Sequence, residues 1–419
     1  MGPLPKIPDF IQLELDVAKI LTDQELHGWY FDESAAWELE SALRGELEGL
    51  VEVLRNRHPY VAGSLFTPKR PNKTQGYFAG CESVRLKEFN PTSRDHIAWV
   101  MQTFYDWTPT QFTDKGKPTI DEVVLKEINT EISLQFFRCL ELTKQLGMLS
   151  EGVNAWLKLV KNNRIHHHCS VATNTHRCAH RKPNLGQVIS DPRFRKLFTA
   201  SPSMVMVGAD LAGIELRMLA HYLARYDEGR YADVLLNGDI HQENADKIGI
   251  SRRLVKTVTY AFLYGAGDQK IGLSYDSQLQ ASEAKKKGAE IRQAYMDAIP
   301  GLQSLVEATK KAAQRGYVRS IDGRHINVDS GHKALNYLLQ SGAGVVAKRW
   351  MVITQQDLWD DCHQLAFVHD ELQYECSQSL ANDLKTKLEL SAVMAGEYYN
   401  LRIPIAAEGK IGSTWADVH

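Results

Sequence analysis

Cysteine is scarce: six residues in 419, at positions 81, 139, 169, 178, 362 and 376, with no C-x-x-C among them. That spacing offers no disulfide framework and fits a reducing compartment. No apolar run approaches the roughly 18 residues of a membrane span, and the N-terminus lacks the charged-then-apolar pattern of a signal peptide. The expectation is a cytoplasmic protein with no membrane partner and no targeting signal. An excess of one charge is also missing, with 49 Lys and Arg against 51 Asp and Glu. This balance does not exclude nucleic acid, because the local distribution of charge matters more than the sum. There is no internal repeat and no low-complexity tract. The length suffices for a large core in two or three subdomains.

The most informative stretch is Ser251 to Gly267, SRRLVKTVTYAFLYGAG. Ser251 is a good N-cap and the glycines are a natural stop, which predicts one helix. Arg252, Lys256, Tyr260 and Tyr264 recur every four residues. Each step drifts only about 40° around a helix, so the four side chains form one stripe. Two cations come first, where a helix N-terminus already favours anions. Two aromatic rings follow. A ligand along the stripe meets phosphate-binding groups and then a stacking surface, the layout of a nucleoside triphosphate. A plain amphipathic helix accounts for any one of these residues but poorly for all four in register.

The first part of the chain reads as helical. Glu14 to His27 is periodic and stops at Gly28, and Asp32 starts a longer helix with Leu39, Leu43, Leu47, Leu50 and Leu54 on one side. From His58 to Phe89 the pattern is lost among prolines, glycines and basic residues, which predicts a long loop. Asn90 to His96 then opens another helix. Asp23 and Glu25 have a D-x-E spacing, but lie in a helical stretch and read as chance. Lys161 to Lys196 is the most basic segment, with eight Lys or Arg and one Asp. Arg164, Arg177, Arg181, Lys182, Arg193, Arg195 and Lys196 could track a phosphate backbone. The five histidines of this segment, with Cys169 and Cys178, raise the question of zinc, though their spacing matches no standard finger or ribbon.

Two acidic points stand out further on. Met204 to Ala209 is a short apolar run suited to a buried strand, ending at Asp210. Helical periodicity follows at once, and Glu215 falls about one turn along. Leu365 to Val368 is a second buried strand, ending in His369-Asp370-Glu371 at a turn. Adjacent acids there are costly unless a cation or solvent relieves them. Between the two points lie the central helix, a basic helix over Ser282 to Ile299, a helix to about Gln314, a hairpin turning at Asp322-Gly323, and a helix from Leu335 to Leu358. Two carboxylates at strand ends, with a helix built for a triphosphate, form the set that two-metal phosphoryl transfer needs.

The ordered set resembles family A DNA polymerases, the DNA polymerase I family, and within it the replicative enzymes of short-tailed phages. The first motif is Asp210-Leu211-Ala212-Gly213-Ile214-Glu215-Leu216-Arg217. The second is Arg252, Lys256, Tyr260, Tyr264 and Gly265, and the third is His369-Asp370-Glu371. Further matches are Asn90 with Ser93, Thr175 with Arg177, Pro183-Asn184-Leu185, Gly238 to His241, Asn336 with Gln340, and His419. The resemblance covers nearly the whole chain.

It implies an α+β right-hand fold with a helical thumb, an antiparallel-sheet palm and helical fingers. Residues 1–160 would be thumb and preceding helices, 161–231 palm, 232–316 fingers and 317–419 palm again. It implies a template-directed DNA polymerase adding dNTPs to a primer 3′ end with two Mg²⁺ ions, Mn²⁺ being tolerated. Asp210 and Asp370 would hold the metals, with the Leu211 carbonyl as an additional ligand and Glu371 in support. His241, Arg252 and Lys256 would hold the triphosphate, with Lys256 also protonating pyrophosphate. Tyr260 would stack near sugar and base, Tyr264 would guard the template position, and Glu215 would exclude a ribose 2′-hydroxyl. Asn90, Ser93, Arg177, Asn184, Asn336, Gln340 and His369 would contact primer–template DNA. No proofreading domain precedes the thumb, so no intrinsic editing is expected; any exonuclease or processivity factor would act in trans. Only the His58–Phe89 loop stands where the phage enzymes carry a large insertion for a processivity partner, which disfavours that partner. The location implied is the cytoplasm of a bacterial or phage-infected cell. The competing readings are a single-subunit RNA polymerase, which Glu215 disfavours, and a silent nucleic-acid-binding homologue, which Asp210 and Asp370 disfavour.

Overall fold

Helix α1, Asp9–His27, stops at Gly28, whose φ of 69° suits glycine and where a Cβ would press into the His166 ring. The computed structural model describes residues 7–171, 173–276 and 279–419. These form two compact units, one of the stretch to Ala35 with Trp156–His419, the other Ala36–Ala155. Helix α1 thus belongs with the later part of the chain. The reason is its apolar stripe: Leu13, Val17, Ile20 and Leu21 enter the main core.

Helix α2, Glu33–Arg57, begins after Asp32, whose Oδ1 accepts the Ala35 N–H at 2.9 Å. Its Leu54 is buried, and Leu47 and Leu50 pack on the same cluster as Phe89, Ile97, Leu125 and Phe136. The expected loop from His58 to Phe89 is instead bounded by a hairpin, with a long connection over residues 67–82. Strand β1, Tyr60–Phe66, pairs antiparallel with β2, Ser83–Glu88. Only Val61 on these strands is buried, so no in–out alternation of apolar residues marks them in the sequence. Helix α3, Arg94–Phe104, starts where expected, after Ser93. Helix α4, Glu131–Leu146, is closed at its start by a capping box between Thr130 and Ser133.

The larger unit is built on one antiparallel sheet. Strand β3, Met204–Leu211, runs one turn of chain before helix α5, Ile214–Leu223. Gly213, at φ 55°, makes that turn, so the helix starts later than the periodicity from Leu211 suggests. Helices α6, Ile240–Ile248, α7, Arg252–Leu263, α8, Ala281–Ala298, and α9, Leu302–Ala313, follow. The hairpin of β4, Tyr317–Arg319, and β5, His325–Asn327, turns at Gly323 as expected. Helix α10, Ala334–Gln355, is buried over most of its length. Strands β6, His363–Val368, and β7, Glu371–Ser377, helix α11, Ala381–Tyr398, and strand β8, Ala407–Gly412, complete the unit. The sheet order is β6-β7-β3-β8, antiparallel throughout. The expected α+β class is what the chain adopts.

Charge fixes α1 against α10. Lys348, fully buried, places its Nζ 2.6 and 2.9 Å from the two oxygens of Glu14. Arg324, also buried, joins Glu14 and pairs with Asp322 at 2.6 Å. A buried ammonium without these partners would be strongly disfavoured.

Candidate active site

The two aspartates arrive from neighbouring strands. Asp210 is the penultimate residue of β3, and Asp370 sits in the tight turn between β6 and β7, where His369 takes φ 59°. The Leu211 N–H donates to the Asp370 carbonyl at 3.1 Å, so the strand ladder sets their separation. Asp210 is pushed up to about 7 by partial burial and by the charges of Asp370 and Glu371. Asp370 is pushed up to about 6, by burial first and then by Glu215. Both carboxylates are therefore harder to ionise than an ordinary aspartate, a cost that a bound cation would relieve.

Among the described residues no group of three or more His, Cys, Asp or Glu stands ready to hold a metal ion by itself. Two hard carboxylate oxygen donors with unfilled positions nevertheless fit a hard divalent cation whose remaining ligands are water and phosphate. Glu371 does not share the turn with Asp370, as the sequence suggested. It opens β7, is buried, and lies across the ladder from Asp210. Its carboxylate accepts from Trp415 Nε1 at 2.6 Å, from the Gln373 carboxamide, and faces His419 Nδ1 at 3.0 Å. Gly208 makes room for Gln373, since a Cβ there would enter that carboxamide. Gln373 and Trp415 were not singled out from sequence. The available signal is polar Glu371, Gln373 and Glu375 alternating with Leu372, Tyr374 and Cys376 in a strand with buried ends.

Helix α7 matches the expected stripe. Ser251 caps it, accepting the Leu254 N–H at 3.3 Å, and Val255, Val258, Thr259, Phe262 and Leu263 are buried. Arg252, Lys256 and Tyr264 are exposed and Tyr260 is half-buried, so the stripe is the side turned away from the core. The two tyrosine rings stack with centroids 6.5 Å apart. Arg252 Nε reaches Asp239 at 2.8 Å, and the same carboxylate caps α6 through the His241 and Gln242 N–H groups. This brings His241 beside Tyr260, with ring centroids 6.3 Å apart. Burial, and then the Arg252 charge, keep the His241 imidazole below its ordinary range.

Glu215, in the first turn of α5, joins both regions. It pairs with Arg177 Nη2 at 2.8 Å and accepts the Tyr264 hydroxyl at 2.9 Å. Burial alone would raise its carboxyl, but Arg177 and Tyr264 hold it below the ordinary value. Arg177 packs over Gly344 of α10, where a Cβ would stand 3.2 Å from its Cγ. The Asn336 carboxamide donates to the Leu263 carbonyl, tying α10 to the end of α7, and Gln340 is half-buried one turn on. His369 Nε2 lies 3.2 Å from the Gly186 carbonyl, and Asn184 caps the short turn there by accepting the Gly186 N–H at 3.1 Å. Asn90 and Ser93 belong to the smaller unit, where the Asn90 side chain accepts from Thr92.

The basic segment is less free than its composition suggests. Arg164 binds the Gly28 carbonyl, Ser201 and Glu375, Arg193 pairs with Asp191, and the Arg195 guanidinium lies over the Trp415 ring. Arg181, Lys182 and Lys196 are exposed. His166 Nδ1 and His168 Nδ1 engage Glu25 of α1, at its carbonyl and carboxylate, and His167 engages the Leu365 carbonyl. The D-x-E stretch is therefore a docking point for α1.

A family model described as DNA polymerase family A matches residues 76–417. The DNA-directed DNA polymerases of enterobacteria phage T3 and Escherichia phage T7 are each 32% identical, over 98% of this chain and 70% of theirs. DNA polymerase I of Pseudomonas aeruginosa is 26% identical over 80% of this chain and 39% of its own. In fold, the chain is similar to the POL domain of Pol1 from M. smegmatis, solved in complex with DNA primer-template and dNTP. The TM-score is 0.75 at 21% identity, covering 97% of this chain and 70% of that one. The chain belongs to DNA polymerase family A, whose members are nucleotidyltransferases that carry out template-directed DNA synthesis.

Proposed function

We propose that the chain extends a primer 3′ end with dNTPs at the Asp210–Asp370 edge of the sheet. The observation that carries this is the juxtaposition of two destabilised carboxylates with Glu215, which is itself tied to the aromatic end of α7. Asp210 and Asp370, with the Leu211 carbonyl, would hold two Mg²⁺ ions, Mn²⁺ also being accepted. When bound, these ions supply positive charge at the reacting phosphorus and lower the pKa of the attacking hydroxyl. Glu371 stays fixed by Trp415 and Gln373 and supports the Asp210 side of the site.

The triphosphate lies along Arg252, Lys256 and His241, and Lys256 gives a proton to the departing pyrophosphate. Tyr260 stacks beside the incoming sugar and base, and Tyr264 stands at the template position. Glu215, held rigid between Arg177 and Tyr264, fills the space a 2′-hydroxyl would need. Arg177, Asn336, Gln340 and His369 contact the primer–template at positions where all correct pairs present acceptors. Asn184, Asn90 and Ser93 also contact the primer–template DNA. In this reading residues 1–160 are thumb and preceding helices, 161–231 and 317–419 palm, and 232–316 fingers. Any exonuclease or processivity factor would act in trans. Phage and bacterial relatives support a cytoplasmic location, and among the described residues no helix is long and apolar enough to cross a membrane.

The test is extension of a labelled primer–template with dNTPs and Mg²⁺ or Mn²⁺, comparing the native chain with Asp370→Ala. Extension by the native chain only is expected. Equal extension by both would remove Asp370 from the chemistry.

A further inference from the structure

A second basic site lies in the larger unit, lined by none of the residues assigned to catalysis. A cavity of about 530 Å³ opens between the end of α5, helix α9, strand β4 and the loop after α11. Arg225, Arg315, Arg319 and Arg402 line it, and among the described residues no Asp or Glu does. All four are exposed, and among the described residues none is in an ion pair with a carboxylate, though Arg315 Nε donates to the Ala312 carbonyl at 3.4 Å. The backbone N–H of Arg402 donates to His221 Nδ1 at 3.1 Å, which leaves Nε2 to carry the proton of the neutral ring. His221 feels the same field: burial first, then Arg402 and Arg225, push its imidazole down to about 4. The Tyr222 hydroxyl is buried beside the cavity without a protein partner. Leu305, Val318, Ile321 and Leu338 supply apolar lining, and Tyr226 and Tyr399 supply aromatic lining.

Four arginines around one concavity favour an anion there, since the Asp322 charge felt at Tyr222 and Tyr399 is that of a carboxylate already paired with Arg324, and guanidinium forks match phosphate oxygens. An inorganic ion would satisfy the cations but leave the apolar and aromatic lining unused. A nucleotide uses both, with phosphate on the arginines and base against tyrosine, and the volume falls in the range of small-ligand sites. We propose that this cavity, lined by Arg225, Arg315, Arg319 and Arg402 with Tyr226 and Tyr399, binds a phosphorylated nucleotide unit at a site separate from the Asp210–Asp370 edge. The unit could belong to a free nucleotide or to a single strand, which share this chemistry.

Photo-crosslinking of the whole chain separates the sources. One arm uses 8-azido-ATP, the other a single-stranded oligonucleotide bearing 5-bromodeoxyuridine, both in EDTA so that no divalent ion supports the catalytic edge. Adducts are mapped by mass spectrometry. Labelling of the peptides holding Tyr226 or Tyr399 is expected, reduced about tenfold in Arg319→Ala/Arg402→Ala. Labelling by the azido nucleotide assigns a free nucleotide, and labelling by the oligonucleotide alone assigns a strand. The double variant should keep its thermal midpoint and its extension of a primer on a short template, showing that it folds. Were it to misfold, the single variant Arg319→Gln gives the same readout. Labelling confined to other regions, or unchanged by the arginine variants, overturns the proposal. So would binding of a glutamate-rich peptide through these arginines while neither nucleotide probe binds.

Discussion

Tyr264 donates its hydroxyl to the Glu215 carboxylate at 2.9 Å, so the last ring of the α7 stripe and the first-turn acid of α5 are joined. Arg177 closes the set from the other side at 2.8 Å. An acid held by two partners has little freedom to swing away from an incoming sugar. Its value for selecting deoxyribose would lie in that rigidity as much as in its bulk.

Replacing Glu215 with Ala removes both the bulk and the partner of Arg177. The expected result is a loss of selectivity between dNTP and NTP by about tenfold or more, or a comparable fall in kcat/KM for dNTPs. Tyr264→Phe, which keeps the ring, should show a smaller change in the same direction. Single-nucleotide kinetics with dNTP and NTP check this, and wild-type ratios in both variants would refute the steric role.

Tyr260 stands half-buried between His241 and Tyr264. If it stacks beside the incoming sugar, its hydroxyl can stand in for a missing 3′-hydroxyl. Tyr260→Phe should then discriminate more strongly against dideoxynucleotides while extending normally with dNTPs. Chain-terminator incorporation at the wild-type level would count against that position for the residue.

Glu375 is expected to contribute to stability against acid. It is fully buried, faces His27 Nε2 at 2.7 Å, accepts the Ser201 N–H at 2.7 Å, and lies 3.4 Å from Arg164. Burial alone would raise its carboxyl, but these partners hold it at about 2. An unfolded Glu titrates near about 4.3. The folded form therefore binds fewer protons, and this contribution is complete above about pH 4.3 and lost as pH falls toward 2. Glu375→Gln should unfold more easily at neutral pH, by about 2–4 kcal/mol, with a shallower loss between those limits. Urea unfolding at a series of pH values measures both.

Glu14 is expected to matter for stability, not chemistry. Glu14→Ala strands the buried ammonium of Lys348 and should cost about 3 kcal/mol, lowering the thermal midpoint. Glu14→Gln should recover part of the loss. Intact stability in Glu14→Ala would mean that water reaches Lys348.

What could be read in the sequence was what is local. The N-cap at Ser251, the four-residue stripe of α7, the strand running into Asp210 and the turn at Gly323 each depend on neighbours a few positions apart. The matches within each of the three motifs that carry the family resemblance are likewise close in sequence, although the motifs themselves lie far apart. The hairpin of β1 and β2 was not legible because neither strand buries a face. The engagement of Arg164, Arg193 and Arg195 was hidden because composition gives charge but not partners. Glu371 looked like part of an acidic turn, whereas only pairing with β3 and the reach of Trp415 show it to be a buried, hydrogen-bonded strand residue. The docking of α1 through Glu14 and Glu25 joins residues far apart in the chain, beyond any periodic signal.

The hydrogen bond from Leu211 to the Asp370 carbonyl has a bearing on how this protein can fail. The two aspartates reach one edge only if β3 and β7 settle in a single alignment. A slip by one residue would turn every side chain of one strand to the opposite face. A molecule with that error could keep its helices, its core composition and much of its apparent compactness, yet be inert. Extension activity is thus a stricter gauge of correct folding for this chain than any spectroscopic measure of secondary structure.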